Sequence, residues 1–275
     1  MDFMDLRRPE YSYMFGFLQG DGHLAADTRQ RGRLSLEVGV RDRGLLECFQ
    51  RLCPYPSAIR ERTRATNFSA EHTSATWTVY ALEARETLRS LGMPYGKKSA
   101  SIGPPHDDHI ARDYVRGLVD ADGAVGITAK GCPLLSLTTS SRAVSDYFCA
   151  YGLAVSGVPR HPGRNTRDGV FNILYTSDPA VEIACELYYE GSLALVRKAA
   201  KAESVKAWER PAGMRARSAP RRWNDADDGV VLSHPADVAA RLLGRTVASC
   251  TIRRWRLDKA GEPVEPTPPQ PTLFS

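Results

Sequence analysis

Apolar residues along the chain follow two spacings, one typical of helices and one typical of strands. Residues 142–151 place apolar side chains at helical spacing, whereas 124–129 and 133–139 alternate apolar and polar residues around a Lys-Gly-Cys turn. An earlier hairpin is predicted in the same way within residues 23–40, and an earlier helix at 44–52. The pattern therefore predicts a helix behind a hairpin in each of two consecutive segments.

The sequence itself repeats with the same order of features. The segment MFGFLQGDG at 14–22 matches VRGLVDADG at 115–123, an offset of 101 residues. Each copy is followed by a Leu-Ser-Leu strand, a strand-like segment that ends in Tyr80 or Tyr175, and a basic pair that ends in Lys98 or Lys198. One period of this length is too long for a solenoid unit and indicates a duplicated small domain. We predict an α+β fold in which each copy has the order helix, hairpin, helix, hairpin, helix.

Proline-rich segments mark the expected boundaries between domains. Pro104 and Pro105 separate the two copies, and the stretch from Pro211 to Pro220 forms a second joint. The expected domains are a first repeat, a second repeat, a linker, a helical module and a disordered Pro-rich tail, at residues 1–104, 105–210, 211–220, 221–258 and 259–275.

The excess of basic residues lies in the C-terminal part of the chain, and this distribution indicates what kind of partner the protein binds. The net charge is +5, and 15 basic and 9 acidic residues fall within 191–275. A basic C-terminal third indicates a polyanionic partner, although a solvated charge-rich linker is an equal alternative on charge alone.

Membrane insertion and secretion are not expected from this composition. The longest apolar runs fall far short of the ~18 residues that a spanning helix needs, and acids precede any apolar stretch at the N-terminus. The six cysteines never form a C-x-x-C pair, so they are expected to be reduced thiols in the cytoplasm.

Each nine-residue motif combines small residues with one acid. Small residues lie four positions apart, so they share a helix face along which a second helix could approach closely; they are Gly16 with Gly20 and Gly117 with Ala121. Asp21 and Asp122 follow directly, and each precedes a glycine suited to end a helix in the left-handed conformation. A single Asp-Gly pair is an ordinary turn. Two acids at matching helix ends, where the helix dipole disfavours them, instead suggest a divalent metal.

These motifs and their context resemble the LAGLIDADG homing endonucleases in their single-chain, two-motif form. VRGLVDADG is close to the family signature, whereas MFGFLQGDG departs from it at the sixth and seventh positions. The resemblance covers about residues 10–207, including the Leu-x-Leu strand and the lysine after the last helix of each repeat. It implies two pseudo-symmetric αββαββα repeats whose antiparallel sheets form a saddle over DNA, with the motif helices at the centre.

The resemblance also implies a chemistry, which is metal-dependent hydrolysis of both DNA strands. Asp21 and Asp122 would be the catalytic acids and would bind Mg²⁺ together with backbone carbonyls, for which Gly20 and Ala121 are the candidates. By motif position, Lys98 and Lys198 would offset charge at the scissile phosphates. A phosphate contact or a plain surface charge is an alternative for these lysines, and Lys97 or Arg197 could be the inward member of either pair.

Arginines recur at strand spacing and are candidates for DNA contacts. Two trios alternate, so each would lie along one strand face, and a third set occupies the corresponding stretch of the second copy; they are Arg29, Arg31 and Arg33, then Arg60, Arg62 and Arg64, then Arg160, Arg164 and Arg167. Charged residues that protect strand edges are the alternative interpretation.

The C-terminal module has three short helical candidates, with Thr246 as the expected cap of the third. Its pattern resembles Myb or SANT-like helix-turn-helix modules, which would assign DNA contacts to Arg245, Arg253 and Arg254. A small helical bundle that does not bind DNA is the alternative.

The sequence therefore predicts a site-specific DNA endonuclease that acts on double-stranded DNA as a monomer, in the manner of intron-homing enzymes. The retained acids favour this interpretation over a WhiA-type transcription regulator, which lacks the paired catalytic carboxylates. An RNA maturase on the same scaffold stays open. An intein is not expected, because the chain lacks a His-Asn ending.

Overall fold

A computed structural model describes residues 3–25, 32–66, 69–214 and 223–261. The predictions for Arg29, Arg31, most of the linker and the tail from residue 262 lie outside these residues. The chain divides into two compact units, Met1–Pro211 and Ala212–Ser275. None of the described helices is both long enough and apolar enough to span a membrane. The six cysteines are free thiols.

The first repeat follows the predicted order of elements. Its helices are α1 (Pro9–Asp21), α2 (Arg43–Leu52) and α3 (Leu82–Ser90), and its strands are β1 (Gly22–Leu24), β2 (Leu34–Gly39), β3 (Ser57–Thr66) and β4 (Ser69–Val79). All neighbouring strands are antiparallel, and the order across the sheet is β1-β2-β4-β3. This mixed α+β arrangement confirms the predicted fold class.

The second repeat departs from this order at its second hairpin and at its end, where it has an additional helix. Its helices are α4 (Ala111–Asp122), α5 (Arg142–Ser156), α6 (Asp178–Leu187) and α7 (Val196–Lys206), and its strands are β5 (Gly123–Ile127), β6 (Pro133–Thr139) and β7 (Phe171–Thr176). These strands form an antiparallel sheet in that order. Where the first repeat has a strand before β4, the described part of the second has only an isolated bridge between Arg164 and Phe171. The segment before β7 contains Pro159 and Pro162, which cannot donate to a strand ladder. The additional helix, α7, follows α6, and the prediction that a lysine follows the last helix of each repeat is therefore wrong for Lys198, which lies inside α7.

One continuous core joins both repeats. The inward faces of the strands carry the alternating apolar residues that the sequence predicted, including the Leu-x-Leu pairs of β2 and β6, which are fully buried. Helix α1 is buried over nine consecutive residues, 11–19, so it lies inside the protein and not on its surface. The motif helices are thus the centre of the larger unit.

The prediction of left-handed glycines after the motif helices is wrong. Gly22 has φ −73° and Gly123 has φ −114°, because a strand begins at each residue and requires extended backbone. Glycine is needed at both positions because neighbouring backbone atoms leave no room for a side chain. A Cβ on Gly22 would lie 2.6 Å from the carbonyl oxygen of Leu18, and one on Gly123 would lie 2.4 Å from that of Ser136.

The described part of the smaller unit is a three-helix bundle. Its helices are α8 (Asp225–Ser233), α9 (Ala236–Leu243) and α10 (Val247–Gly261). They enclose a small core that includes Val231, Leu243 and Cys250. Thr246 caps α10 as predicted, since its hydroxyl accepts a hydrogen bond from the Ser249 N–H.

Candidate functional site

The two motif helices, α1 and α4, are in direct backbone contact. A Cβ on Gly16 would lie 2.3 Å from the Tyr114 carbonyl oxygen, and a Cβ on Gly117 would lie 2.3 Å from the Tyr13 carbonyl oxygen. No side chain larger than hydrogen fits at either position without moving a backbone. The two contacts are reciprocal, because each glycine and each tyrosine is 101 residues from its counterpart, so the contact has an internal twofold relation.

A pair of reciprocal hydrogen bonds fastens the same two helices. The Tyr13 hydroxyl donates to Asp120 at 2.8 Å, and the Tyr114 hydroxyl donates to the Gln19 side-chain oxygen at 2.6 Å. All four side chains are buried. Asp120 also accepts hydrogen bonds from the Tyr188 hydroxyl and the Leu195 N–H, both at 2.7 Å. These polar side chains hold the ends of α1 and α4 in register.

Asp21 and Asp122 occupy the last residues of these two helices. Because the helices cross so closely, the end of one meets the end of the other: a Cβ on Gly20 would lie 3.1 Å from an Asp122 carboxylate oxygen and 2.4 Å from the Ala121 Cβ. The carboxyl groups remain accessible to solvent. The fold therefore brings together the two acids that the sequence singled out, although they are 101 residues apart.

Both acids are held in conditions that disfavour their charge. Desolvation raises the pKa of Asp21 to about 6, and the Asp122 carboxylate adds to this rise, while Lys98 and Lys198 oppose it. Desolvation also raises the pKa of Asp122, against the opposing charges of the same two lysines. An oxygen-rich site with two destabilised carboxylates is a site that a cation would stabilise.

The two lysines bind the C-terminal turns of the motif helices. Lys98 donates to the carbonyl oxygens of Gln19 and Gly20, both at 2.5 Å. Lys198 donates to those of Val119 and Asp120, both at 2.7 Å, and to that of Gly123 at 2.9 Å. These ammonium groups satisfy carbonyls that a helix end leaves without partners.

Lys98 and Lys198 are the buried members of their basic pairs. Their relative exposures are 7% and 5%, whereas Lys97 is exposed and Arg197 is partly exposed. Desolvation lowers the pKa of Lys98 and lowers that of Lys198 to about 8. Each lysine is close enough to lower the pKa of both acids.

The acids open into two different clefts. Asp21 lines a cleft of 650 Å³ together with charged residues, among them Asp42 and Arg197. Asp122 lines a cleft of 180 Å³ with Ser99, Thr139 and other uncharged residues. The repeats are therefore alike at the helix ends and different around them.

The described residues supply few side-chain ligands for a metal. Within the described residues, no group of three or more His, Cys, Asp or Glu side chains is arranged to hold one. Asp21 and Asp122 offer carboxylate oxygens at the helix ends, and the Gly20 carbonyl is also hydrogen-bonded to Lys98. Two carboxylates fit Mg²⁺, which is usually bound by one or two of them while water and substrate phosphate complete the shell.

The outer face of the first sheet carries the predicted arginines that are described. Arg60, Arg62 and Arg64 are all exposed on β3, opposite Thr76, Ser74 and His72 of β4. Arg64 pairs with Glu37 at 3.0 Å. A groove of 390 Å³ on this face is lined by uncharged strand residues and by Arg33, Arg60, Glu61, Arg62 and Tyr80. The face is polar, cationic and open.

The second sheet is different, because strands β5, β6 and β7 contain no charged residue. Its predicted arginines lie in the irregular segment before β7 and make local contacts. Arg160 donates to the Leu174 carbonyl at 2.9 Å, Arg164 to that of Gly169 at 2.6 Å, and Arg167 pairs with Asp168 at 3.2 Å. Within the described residues, the strands of the second sheet therefore carry no row of arginines like that of β3.

The helical unit uses its predicted arginines internally. Arg245 pairs with Asp227 at 2.8 Å, and Arg253 donates to both carboxylate oxygens of Asp228 at 2.7 and 2.6 Å. Arg254 donates to the Val231 carbonyl at 3.0 Å. These contacts stabilise the bundle and occupy the side chains that sequence analysis assigned to DNA.

The polar groups that fasten the motif helices were not among the predicted functional residues. Tyr13 and Tyr114 lie at the same 101-residue offset as the acids, and so do Gln19 and Asp120, so this signal was present in the sequence. Arg116 was not predicted either; it is fully buried, pairs with Asp113 and donates to the carbonyls of Leu187 and Leu193.

No protein-family model matches the chain, and no curated protein matches it. Among solved structures, it is similar to the homing endonuclease I-WcaI bound to its DNA recognition sequence, with 12% identity and a TM-score of 0.49, covering 72% of this chain and 87% of that one. It is also similar to the LAGLIDADG homing endonuclease I-LtrWI bound to target DNA, with 10% identity, a TM-score of 0.47 and coverage of 72% and 88%. A third similar structure is full-length DUF199/WhiA from Thermatoga maritima, with 12% identity, a TM-score of 0.47, and coverage of 92% of this chain and 91% of that one. Function is therefore inferred from the geometry of the chain itself.

Proposed function

We propose that the chain is a metal-dependent endonuclease that hydrolyses both strands of double-stranded DNA. The observation that carries this proposal is the twofold arrangement at the ends of α1 and α4, where two acids and two buried lysines meet. An internal twofold relation suits a substrate whose two backbones are themselves related by twofold symmetry. Because one chain supplies both halves, we expect it to act as a monomer.

The two carboxylates at the site lower the stability of the fold, which favours a functional role for them over a structural one. Two carboxylates with raised pKa values destabilise the fold at neutral pH, and close helix contact holds them beside each other. Perturbed acids in an accessible cleft are a common sign of a functional site. A merely structural helix end would be expected to carry a cation or a neutral residue there.

Asp21 and Asp122 would hold Mg²⁺, with the carbonyls of Gly20 and Ala121 as further candidate ligands. When bound, the metal would lower the pKa of a coordinated water and offset charge on the phosphate. Lys98 and Lys198 keep the helix ends in place and supply positive charge next to the acids, which favours the added negative charge of a phosphoryl transition state.

The exposed arginines of the first sheet would bind the DNA. Arg33, Arg60 and Arg62 line one open groove, and a guanidinium can contact either a phosphate or the major-groove edge of guanine. We also propose that the unit formed by residues 212–275 adds affinity for DNA. Its arginines 245, 253 and 254 are engaged within the bundle, so other exposed side chains such as Arg256 would make the contacts.

The test is cleavage of a duplex obtained by selection from a randomised DNA library in the presence of Ca²⁺. Wild-type protein with Mg²⁺ is expected to cut both strands of the selected duplex, and EDTA is expected to stop cleavage. Asp21→Asn and Asp122→Asn should bind the duplex yet fail to cut both strands. Asp146→Asn, which changes an exposed acid on α5, is the matched control and should cut normally.

Two outcomes separate this proposal from the alternatives. A protein that selects a duplex tightly but never cuts it with Mg²⁺ or Mn²⁺ would be a DNA-binding regulator of the WhiA type. A protein that enriches no duplex but binds structured RNA would indicate a maturase. Either result would overturn the endonuclease assignment.

A further inference from the structure

Arg197 and Asp42 form an ion pair that joins the two repeats beside Asp21. The Arg197 Nε lies 3.0 and 3.2 Å from the two carboxylate oxygens of Asp42, and the residues are 155 positions apart. The Asp42 side chain is 9% exposed, whereas the Arg197 side chain is 37% exposed. Both line the cleft into which Asp21 opens. A buried carboxylate therefore holds a partly exposed guanidinium at the side of one acid.

Asp42 is used for this pairing and not for capping a helix. It directly precedes α2, but its side chain makes no cap hydrogen bond. Ser141 holds the matching position before α5. Its hydroxyl accepts from the Val144 N–H at 3.2 Å and donates to the Ile102 carbonyl at 2.5 Å. The first repeat thus lacks a stabilising helix cap at the position where its carboxylate orients an arginine of the other repeat.

The cleft of Asp122 has no such arrangement. Lys97 matches Arg197 in the sequence, but it is exposed and forms no ion pair within the described part of the chain. Ser141 matches Asp42 and carries no charge. Asp122 is the one charged side chain among the described residues that line its cleft. The difference between the clefts is therefore a difference in fixed charge, next to helix ends that are otherwise alike.

Arg197 has hydrogen-bond donors to spare. Only its Nε has an acceptor among the described residues, which leaves the four N–H groups of Nη1 and Nη2 for a ligand. A guanidinium whose orientation is already fixed loses little freedom on binding and matches two phosphate oxygens at once. The ligand chemistry that fits is a phosphate group in contact with the Asp21 cleft.

We propose that Arg197, positioned by Asp42, binds the scissile phosphate in the Asp21 cleft, and that the two DNA strands are therefore cut at unequal rates. This inference rests on the proposed endonuclease function. In the reaction a water oxygen bonds to phosphorus and the bond from phosphorus to the 3′ oxygen breaks; the proton lost by water balances the one gained by the 3′ oxygen. The guanidinium stabilises the charge that develops on the phosphate oxygens of one strand only.

Strand-resolved cleavage tests this with the full chain and the selected duplex, each strand carrying its own label. Arg197→Ala should slow one strand by about 10- to 100-fold, the range expected when a hydrogen bond between charged groups is removed, and leave the other within about twofold. Nicked DNA should then accumulate. Arg197→Lys should restore part of the rate, and Asp42→Asn should slow the same strand less. Lys97→Ala is the matched control and should leave both rates unchanged.

A binding experiment in Ca²⁺ separates phosphate contact from a structural role. Two further duplexes each carry a neutral methylphosphonate at one of the two scissile positions. The difference in affinity between wild type and Arg197→Ala should disappear with one of these duplexes and persist with the other, because only one phosphate meets the guanidinium.

The outcomes distinguish this inference from the proposed function. If wild-type protein cuts both strands while Arg197→Ala slows both equally or neither, the arginine does not act in one cleft and the inference fails alone. A difference in affinity that persists with both methylphosphonate duplexes contradicts it as well. If wild-type protein cuts no duplex, the endonuclease assignment and the inference fail together.

Discussion

Replacing Asp21 with asparagine should make the metal-free protein more stable at neutral pH while abolishing its cleavage of both strands. The change keeps the shape of the side chain and removes its charge. Because the pKa of Asp21 is raised from 3.8 to about 6 in the fold, the folded state binds the proton more tightly than the unfolded state does. Wild-type stability should consequently fall as the pH rises from about 4 to about 6, and the asparagine variant should lack this part of the fall.

The size of the effect follows from the same pKa. A rise from 3.8 to about 6 corresponds to about 3 kcal/mol at full strength. The carboxylate is partly open to solvent, whose screening reduces this to about 1 kcal/mol. For a unit of 211 residues, 1 kcal/mol shifts the midpoint of thermal unfolding by about 2–4 °C. The gain should be complete above pH 6 and absent near pH 4.

Thermal unfolding in EDTA at pH 4 and pH 7.5 measures this directly. Asp5→Asn is the matched control, because its hydrogen bonds with Arg7 lower the pKa of Asp5, so the same replacement should bring no gain. Added Ca²⁺ at ten times its Kd should stabilise the folded wild type by about 1.4 kcal/mol and so raise its midpoint of unfolding. The midpoint of Asp21→Asn should rise less. An Asp21→Asn protein no more stable than wild type at pH 7.5, or equally stabilised at pH 4, would refute the electrostatic argument.

Three further predictions concern the helix contact, the pH dependence and the helical unit. Gly16→Ala should destabilise the protein by about 1–3 kcal/mol in urea unfolding, because its Cβ meets a backbone carbonyl at 2.3 Å, whereas Gly44→Ala, with open space around it, should be neutral or stabilising. The rate of cleavage at fixed Mg²⁺ should fall below about pH 6 as Asp21 takes up a proton, and above about pH 8 as Lys198 loses one. A higher Mg²⁺ concentration should move the fall on the acidic side to lower pH, and a rate that is constant from about pH 5 to 9 would contradict these roles. Removing residues 212–275 should weaken DNA binding and lower the slope of log affinity against log salt by about 0.9 for each phosphate that is no longer neutralised. Mg²⁺-dependent cleavage should persist at high protein concentration, and an unchanged slope would leave this unit without a role in DNA binding.

The sequence by itself determined the fold class and the central pair of helices. Strand burial has a period of two, so the Leu-x-Leu segments of β2 and β6 could be assigned to the core from their alternation alone. The offset of 101 residues aligned the glycines, the acids and, unnoticed, Tyr13 with Tyr114. These features are local or repeated, and both kinds of signal are visible in a linear string.

Only the tertiary structure decided which charges act together. Lys98 and Lys198 are the buried members of their basic pairs because their ammonium groups satisfy carbonyls at the ends of α1 and α4, a choice that spacing could not make. Asp42 pairs with Arg197 across 155 residues, in one cleft and not the other. The strength of such contacts depends on distance, direction and desolvation in three dimensions, which no periodicity in the sequence encodes.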